Sequence, residues 1–253
     1  MTDAQRPVEP AAPARGRRGW TRQAAKVVRP VFVDRVERDH RQSDAEFKRR
    51  RIVVAATLVV GATLLGLSFS TEPGEPAFYP LTIGLAATWM LGSLISGPLH
   101  LGHIEFGGVL RRPILSPIAV GLLLAGVFVL GALVFREVPF LTGLTEDVIG
   151  YARYGILPVV VVITIMNGVA EELFFRGALF AGIGTRHPVI ISTILYTVAT
   201  IGSGNLVLVF AAALLGTVVG LERRASGGVL GPILTHITWS TAMLFLLPLI
   251  FPG

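Results

Sequence analysis

Seven apolar runs, each near the length a helix needs to cross a bilayer, leave this chain few folds to choose from. A hydrocarbon core about 30 Å thick takes about 20 mainly apolar helical residues. Runs of roughly that kind, bounded by charge or by Pro and Gly, cover 52–69, 79–97, 114–135, 156–175, 189–203, 206–221 and 229–250. In lipid each backbone N–H and C=O must find its partner within the protein, and an unbroken apolar run does so as a helix. The expected fold is therefore all-α, a polytopic membrane helix bundle of about seven transmembrane helices. Runs five and six are separated only by Gly204 and Asn205 and predict a tight helical hairpin.

Charge divides the chain in two. Of 22 Lys and Arg, 14 precede Ile52, against 7 of the 16 Asp and Glu, so residues 1–51 carry +7 and residues 52–253 carry −1. The first part reads as a basic cytoplasmic tail whose Pro, Ala and Arg content favours disorder. Its 31–51 stretch is more helix-compatible, either an amphipathic surface helix or a solvated arm. The second part reads as the transmembrane domain. With no apolar run near its start, the tail does not resemble a secretory signal and is expected to stay attached. Anionic lipid is the expected partner of such a juxtamembrane basic segment, at about 1 kcal/mol per Lys or Arg, and nucleic acid is not expected.

Basic residues in short loops favour the cytoplasmic side. A cytoplasmic N-terminus puts Arg111, Arg112, Arg176, Arg186, Arg223 and Arg224 in inner connections and leaves Arg136 and Arg153 outside. The expected location is the cell membrane, with the C-terminus outside. Gly92 and Ser96, like Gly216 and Gly220, are small residues at helical spacing that let helices approach closely. No internal repeat of the kind that marks many transporters is visible.

Ionisable groups inside a span cost about 2.5–3.5 kcal/mol each, so they need a reason. The fourth run ends in Asn167, Glu171, Glu172 and Arg176. Helical spacing places Asn167 with Glu171, and Glu172 with Arg176. Glu172 can thus be held ionised by Arg176, leaving Glu171 as the less compensated acid, a condition suited to general-base work on water. The alternative is that these charges merely close the inner end of the span. In the seventh run His236 stands among Thr235, Thr238, Ser240 and Thr241, with Ser240 four residues on. It is either part of the same site or an interhelical hydrogen-bond partner.

These residues resemble the CAAX prenyl endopeptidase and bacteriocin-processing family of intramembrane proteases, over a core of about 155–250. The first motif of that family, two Glu, three residues, then Arg and Gly, stands here as Glu171, Glu172, Leu173, Phe174, Phe175, Arg176 and Gly177. The second, an aromatic with His four positions later, appears as Tyr196 with Thr200 in the place of His. The third, His with Asn four positions later, appears as His236 with Ser240 in the place of Asn.

The resemblance implies an integral membrane endopeptidase acting on a membrane-anchored or juxtamembrane peptide. Glu171 would be the base, Glu172 and Arg176 its ordering pair, and His236 the main oxyanion or water ligand. Ser240 and Thr200 would supply hydrogen bonds, although a hydroxyl cannot replace an imidazole as ligand or cation. It also implies a divalent metal such as zinc, which in catalytic sites takes three protein ligands. Only His236 and the two carboxylates remain from the motifs, so metal dependence stays open. The chain has no Cys, and His100 and His103 beside Glu105 offer either a second ligand pair or a plain loop. Two other classes compete: a catalytically inactive relative that binds or stabilises a membrane partner, favoured by Thr200 and Ser240, and a small-solute transporter built on Glu171 and Arg176.

Overall fold

The computed structural model describes residues 15–36 and 42–252, and expectations falling on 1–14, 37–41 and 253 lie outside the described residues. Among the described residues, six helical segments are long and apolar enough to cross a membrane: α2 (Asp44–Phe69), α3 (Phe78–Ser96), α4 (Leu115–Phe135), the continuous segment Leu157–Ile183, α9 (Leu206–Ser226) and α10 (Leu230–Ile250). The chain is thus a multi-pass α-helical membrane protein. Its outer faces agree, since Leu91, Leu123, Leu130 and Val162 are 58–72% exposed, an arrangement that lipid tolerates and water does not.

Several boundaries differ from the sequence reading. The fourth span does not stop at its charges. It comprises α6 (Leu157–Glu172), a π-helical stretch (Leu173–Leu179) and α7 (Phe180–Ile183). Glu171, Glu172 and Arg176 therefore lie within a long helix rather than at its end, and Arg176 leaves the tally of loop arginines. The fifth run becomes α8 (Pro188–Ile201), only 14 residues, or about 21 Å at 1.5 Å per residue, shorter than a full crossing. Proline at its first turn needs no N–H there and fixes the start.

Helix occurs within the described part of the tail, including the stretch read as helix-compatible. α1 spans Arg15–Phe32, and α2 begins at Asp44, inside the basic stretch. The latter start is set by a capping box, in which the Glu46 amide donates to Ser43 Oγ and the Ser43 amide donates to Glu46 Oε2 at 2.9 Å. Two further elements went unread: α5 (Pro139–Tyr154), and an antiparallel hairpin of β1 (Ile104–Phe106) and β2 (Val109–Arg111), the only strands among the described residues. The hairpin turns on Gly107 and Gly108, both at positive φ, as a two-residue hairpin turn requires.

α2 and α3 cross closely through reciprocal small residues. A Cβ at Gly61 would enter the Trp89 ring, and one at Gly92 would enter Thr57. Trp89 in turn stacks on Phe174 and leans on Phe175, with centroids 4.5 and 5.1 Å away. This aromatic core, closed by Leu85, Leu179 and Tyr196, ties α3, α6 with its π stretch, and α8 together.

The two ends of the bundle have different caps. α5 lies across one, where Tyr151 donates to the Thr71 carbonyl (2.6 Å), Asn205 to that of Leu144 (2.6 Å) and Arg153 to that of Phe251 (2.8 Å). At the other, the 97–103 loop pairs with the α9–α10 turn through His103, Val229 and Leu230. Arg49 and Arg50 donate there to Ile95 and Pro98 carbonyls, and Arg224 to that of Phe32.

Candidate active site

The site is built on the wide turn of the fourth span. Glu172 and Arg176, one turn apart and both fully buried, form an ion pair of 3.0 Å. The same carboxylate oxygen meets Nδ1 of His236 on α10 at 2.8 Å. A buried carboxylate thus has two partners, which its desolvation demands. The Arg176 guanidinium then lies over the Tyr196 ring, 4.7 Å from its centroid, a cation–π contact. Tyr196 on α8 directs its hydroxyl at Glu171 Oε2, 2.6 Å away. Space for this guanidinium comes from Gly216 on α9, where a Cβ would stand 3.0 Å from Arg176 Nη2. The second carboxylate therefore acts at a distance: Glu172 holds Arg176, Arg176 holds the tyrosine ring, and the tyrosine addresses Glu171.

Glu171, Tyr196, Thr200 and His236 line one cavity of about 160 Å³. Its walls include Trp89, Phe175 and Trp239, and it runs toward Phe69 and Ser203 at the α5 end. Of the residues expected from sequence, Glu171, Glu172, Arg176 and His236 come together. Thr200 reaches the cavity wall but donates its hydroxyl to the carbonyl of Tyr196 (2.9 Å), a bond within its own helix. Ser240 does not join them: it lines the neighbouring apolar cavity, and its hydroxyl faces the Ile237 carbonyl. Asn167, one turn before Glu171, donates its amide to the Ile163 carbonyl, and its Oδ1 has no partner among the described residues. Glu172 Oε2, Arg176 Nε and Nη2, and Trp239 Nε1 are likewise buried without partners among the described residues, positions that ordered water can serve.

The hydroxyl of Tyr196 was not read as a site group, although the motif aromatic was the available signal. Glu222 was missed for another reason. Ending the sixth run at 221 made it a loop residue, whereas it is 2% exposed in the last turns of α9.

The donors do not fit zinc. Glu172 Oε1 already serves Arg176 and His236, His236 has committed Nδ1 to it, and Glu171 Oε2 is taken by Tyr196. Thr200 contributes no nitrogen. Among the described residues no three His, Asp or Glu side chains lie together in a way that could hold a metal ion, and His100 and His103 form no such group with Glu105.

A multi-pass helical protein that sets a carboxylate, a phenol and an imidazole on a cavity wall, with a buried Glu172–Arg176 pair behind them, belongs with the membrane proteins that carry a polar reaction or binding centre within the helix bundle. The particular family follows from the chain itself: residues 153–242 match the model of the Rce1-like type II CAAX prenyl endopeptidases and constitute a domain of that family. The match contains every residue of the cavity's polar set. No curated protein and no solved structure matches the chain.

Proposed function

We propose that the protein is an intramembrane endopeptidase that hydrolyses a membrane-anchored or juxtamembrane peptide with water activated by Glu171. One observation supports this above the others: Glu171 meets Tyr196 at the cavity wall while Glu172, Arg176 and His236 brace the pair from behind. The Glu171 carboxylate takes a proton from water, whose oxygen adds to the peptide carbonyl carbon. With Nδ1 directed at Glu172, the other nitrogen of His236 is left for the cavity. It accepts from water when the ring is neutral and donates to the oxyanion when the ring is protonated. Collapse breaks the C–N bond, and Glu171 passes its proton to the leaving nitrogen. No step runs through a metal ion.

The same reading takes α8 as a short seventh crossing and residues 1–51 as a cytoplasmic arm against anionic lipid at the cell membrane. It is supported by the gathering of Arg49, Arg50 and Arg224 at the bundle end that faces α1. A second reading, a catalytically silent relative that binds a membrane partner, is favoured by the Thr200 hydroxyl being spent on its own helix and by the displacement of Ser240.

The test is cleavage of a fluorogenic, membrane-anchored peptide library by purified protein in liposomes. Turnover that falls about 100-fold or more in Glu171→Gln supports the peptidase, since general-base assistance contributes factors of that order. A silent natural chain beside an active Thr200→His variant supports the silent relative. Silence of both ends the peptidase reading.

A further inference from the structure

Outside this centre, one buried acid has no cation paired with it among the described residues. Glu222 (2% exposed) projects from α9 into its contact with α10 and α4, and its Oε1 lies 2.9 Å from the hydroxyl of Thr235, which is itself fully buried. That hydroxyl is also 3.0 Å from the carbonyl oxygen of Pro117 on α4. A hydroxyl has a single proton. Were Glu222 a carboxylate, both neighbours of Thr235 would be acceptors competing for one hydrogen, and a buried negative charge would stand without compensation. A protonated carboxyl resolves the conflict: its O–H donates to Thr235 Oγ1, and Thr235 donates to the Pro117 carbonyl.

The nearby basic side chains are engaged elsewhere. Arg223, the next residue, directs Nε at the Arg176 carbonyl (2.6 Å), and Arg224 directs Nη2 at that of Phe32. His236, next to Thr235 on α10, is bound to Glu172. The remaining oxygen of Glu222 has no partner among the described residues, a far smaller penalty for a neutral carboxyl than for an anion.

We propose that Glu222 is a neutral, proton-bearing carboxyl that acts as a positioning residue, locking the turn of α10 at Thr235 to α4 and α9 and thereby fixing its neighbour His236 against Glu172. The lock lies at a close approach of α4 and α10, for a Cβ at Gly121 would stand 2.8 Å from the Thr235 carbonyl. The inference rests on the peptidase reading only for the use to which His236 is put. The geometry stands without it.

Infrared spectroscopy of the full chain in lipid tests the first half. The expected result is a carbonyl band of a protonated carboxyl at neutral pH that disappears in Glu222→Gln and shifts in Thr235→Val. If Glu222→Gln removes only carboxylate bands, the acid is ionised and the proposal is wrong. The second half is read from the His236 imidazole resonances in protein with labelled histidine, assigned by their loss in His236→Gln. Glu222→Gln, whose amide N–H can donate as the acid does, and Thr235→Ser should leave them in place, while Thr235→Val should displace them. Resonances unmoved in Thr235→Val would overturn the positioning role. Neither readout needs turnover, so an absence of proteolysis in every variant would count against the peptidase and not against this lock.

Discussion

Two regions of the bundle bury a glutamate, and they make it tolerable by different means. At the centre of the fourth span Glu172 is surrounded by opposite or protonatable charge, with Arg176 at 3.0 Å and His236 at 2.8 Å. Where α4, α9 and α10 meet, Glu222 has only a hydroxyl, which is shared with a backbone carbonyl. The first region concentrates charge and leaves polar atoms over, such as Glu172 Oε2 and Arg176 Nη2. The second is a short hydrogen-bond chain from Glu222 through Thr235 to the Pro117 carbonyl, with Glu222 Oε2 left over. A low-dielectric interior rewards an ion pair only when its geometry is well satisfied, so the first arrangement suits a place where charge must be available, and the second a place where position alone matters.

The largest effect that would test this contrast comes from Arg176→Met, which leaves Glu172 without its cation. Breaking a buried pair in this way costs about 3–5 kcal/mol, and unfolding in detergent should show a loss of that size. A loss near that of an ordinary surface change would mean that the pair is not buried as described. Next, Gly216→Val places side-chain carbon against the guanidinium and Tyr196 and should cost about 1–3 kcal/mol. The penalty should shrink in an Arg176→Met background, and an undiminished penalty would point instead to the α8–α9 contact. In the second region Thr235→Val removes one hydroxyl and should cost about 1–2 kcal/mol, measured in the same unfolding experiment. Smallest is the effect of chelator. Because the donors are committed to one another, turnover should be the same with and without it, and a loss restored by added zinc would show that the centre rearranges to take a metal.

Much of the centre was legible before any fold was known. The four-residue spacing of Glu172 and Arg176 requires a shared helix face, and the intramembrane His236 had few partners polar enough to hold it. What the pattern hid were features whose signal is not local. The charges at 171, 172 and 176 mimic a span end, because hydropathy averages over a window and cannot register that Arg176 and Glu172 neutralise each other; hence the extension to Ile183 was not seen. Glu222 was trimmed from its helix by the same averaging. In α5, Glu146, Asp147 and Arg153 break the apolar run, and a helix lying across a bundle end needs only one apolar face. Ser240 has the expected spacing from His236, yet spacing fixes a face and not the rotamer, and its hydroxyl finds a backbone acceptor on its own helix.

The π-helical stretch at Leu173–Leu179 has a consequence for how this segment can vary. A wide turn is equivalent to one residue too many for an α-helix, and such insertions recur at functional sites. Each residue turns an α-helix by about 100°, so the faces of the span before and after the stretch are indexed out of step, with Glu171 and Glu172 on one side of the offset and Phe180 on the other. A chain shortened by a single residue here would close the wide turn into a regular α-helix, keeping the neighbours of the segments before and after it while removing the turn that carries Arg176. Descent in this protein should therefore tolerate replacement along the stretch far more readily than a change in its count, which makes the seven-residue interval a ruler by which relatives can be aligned.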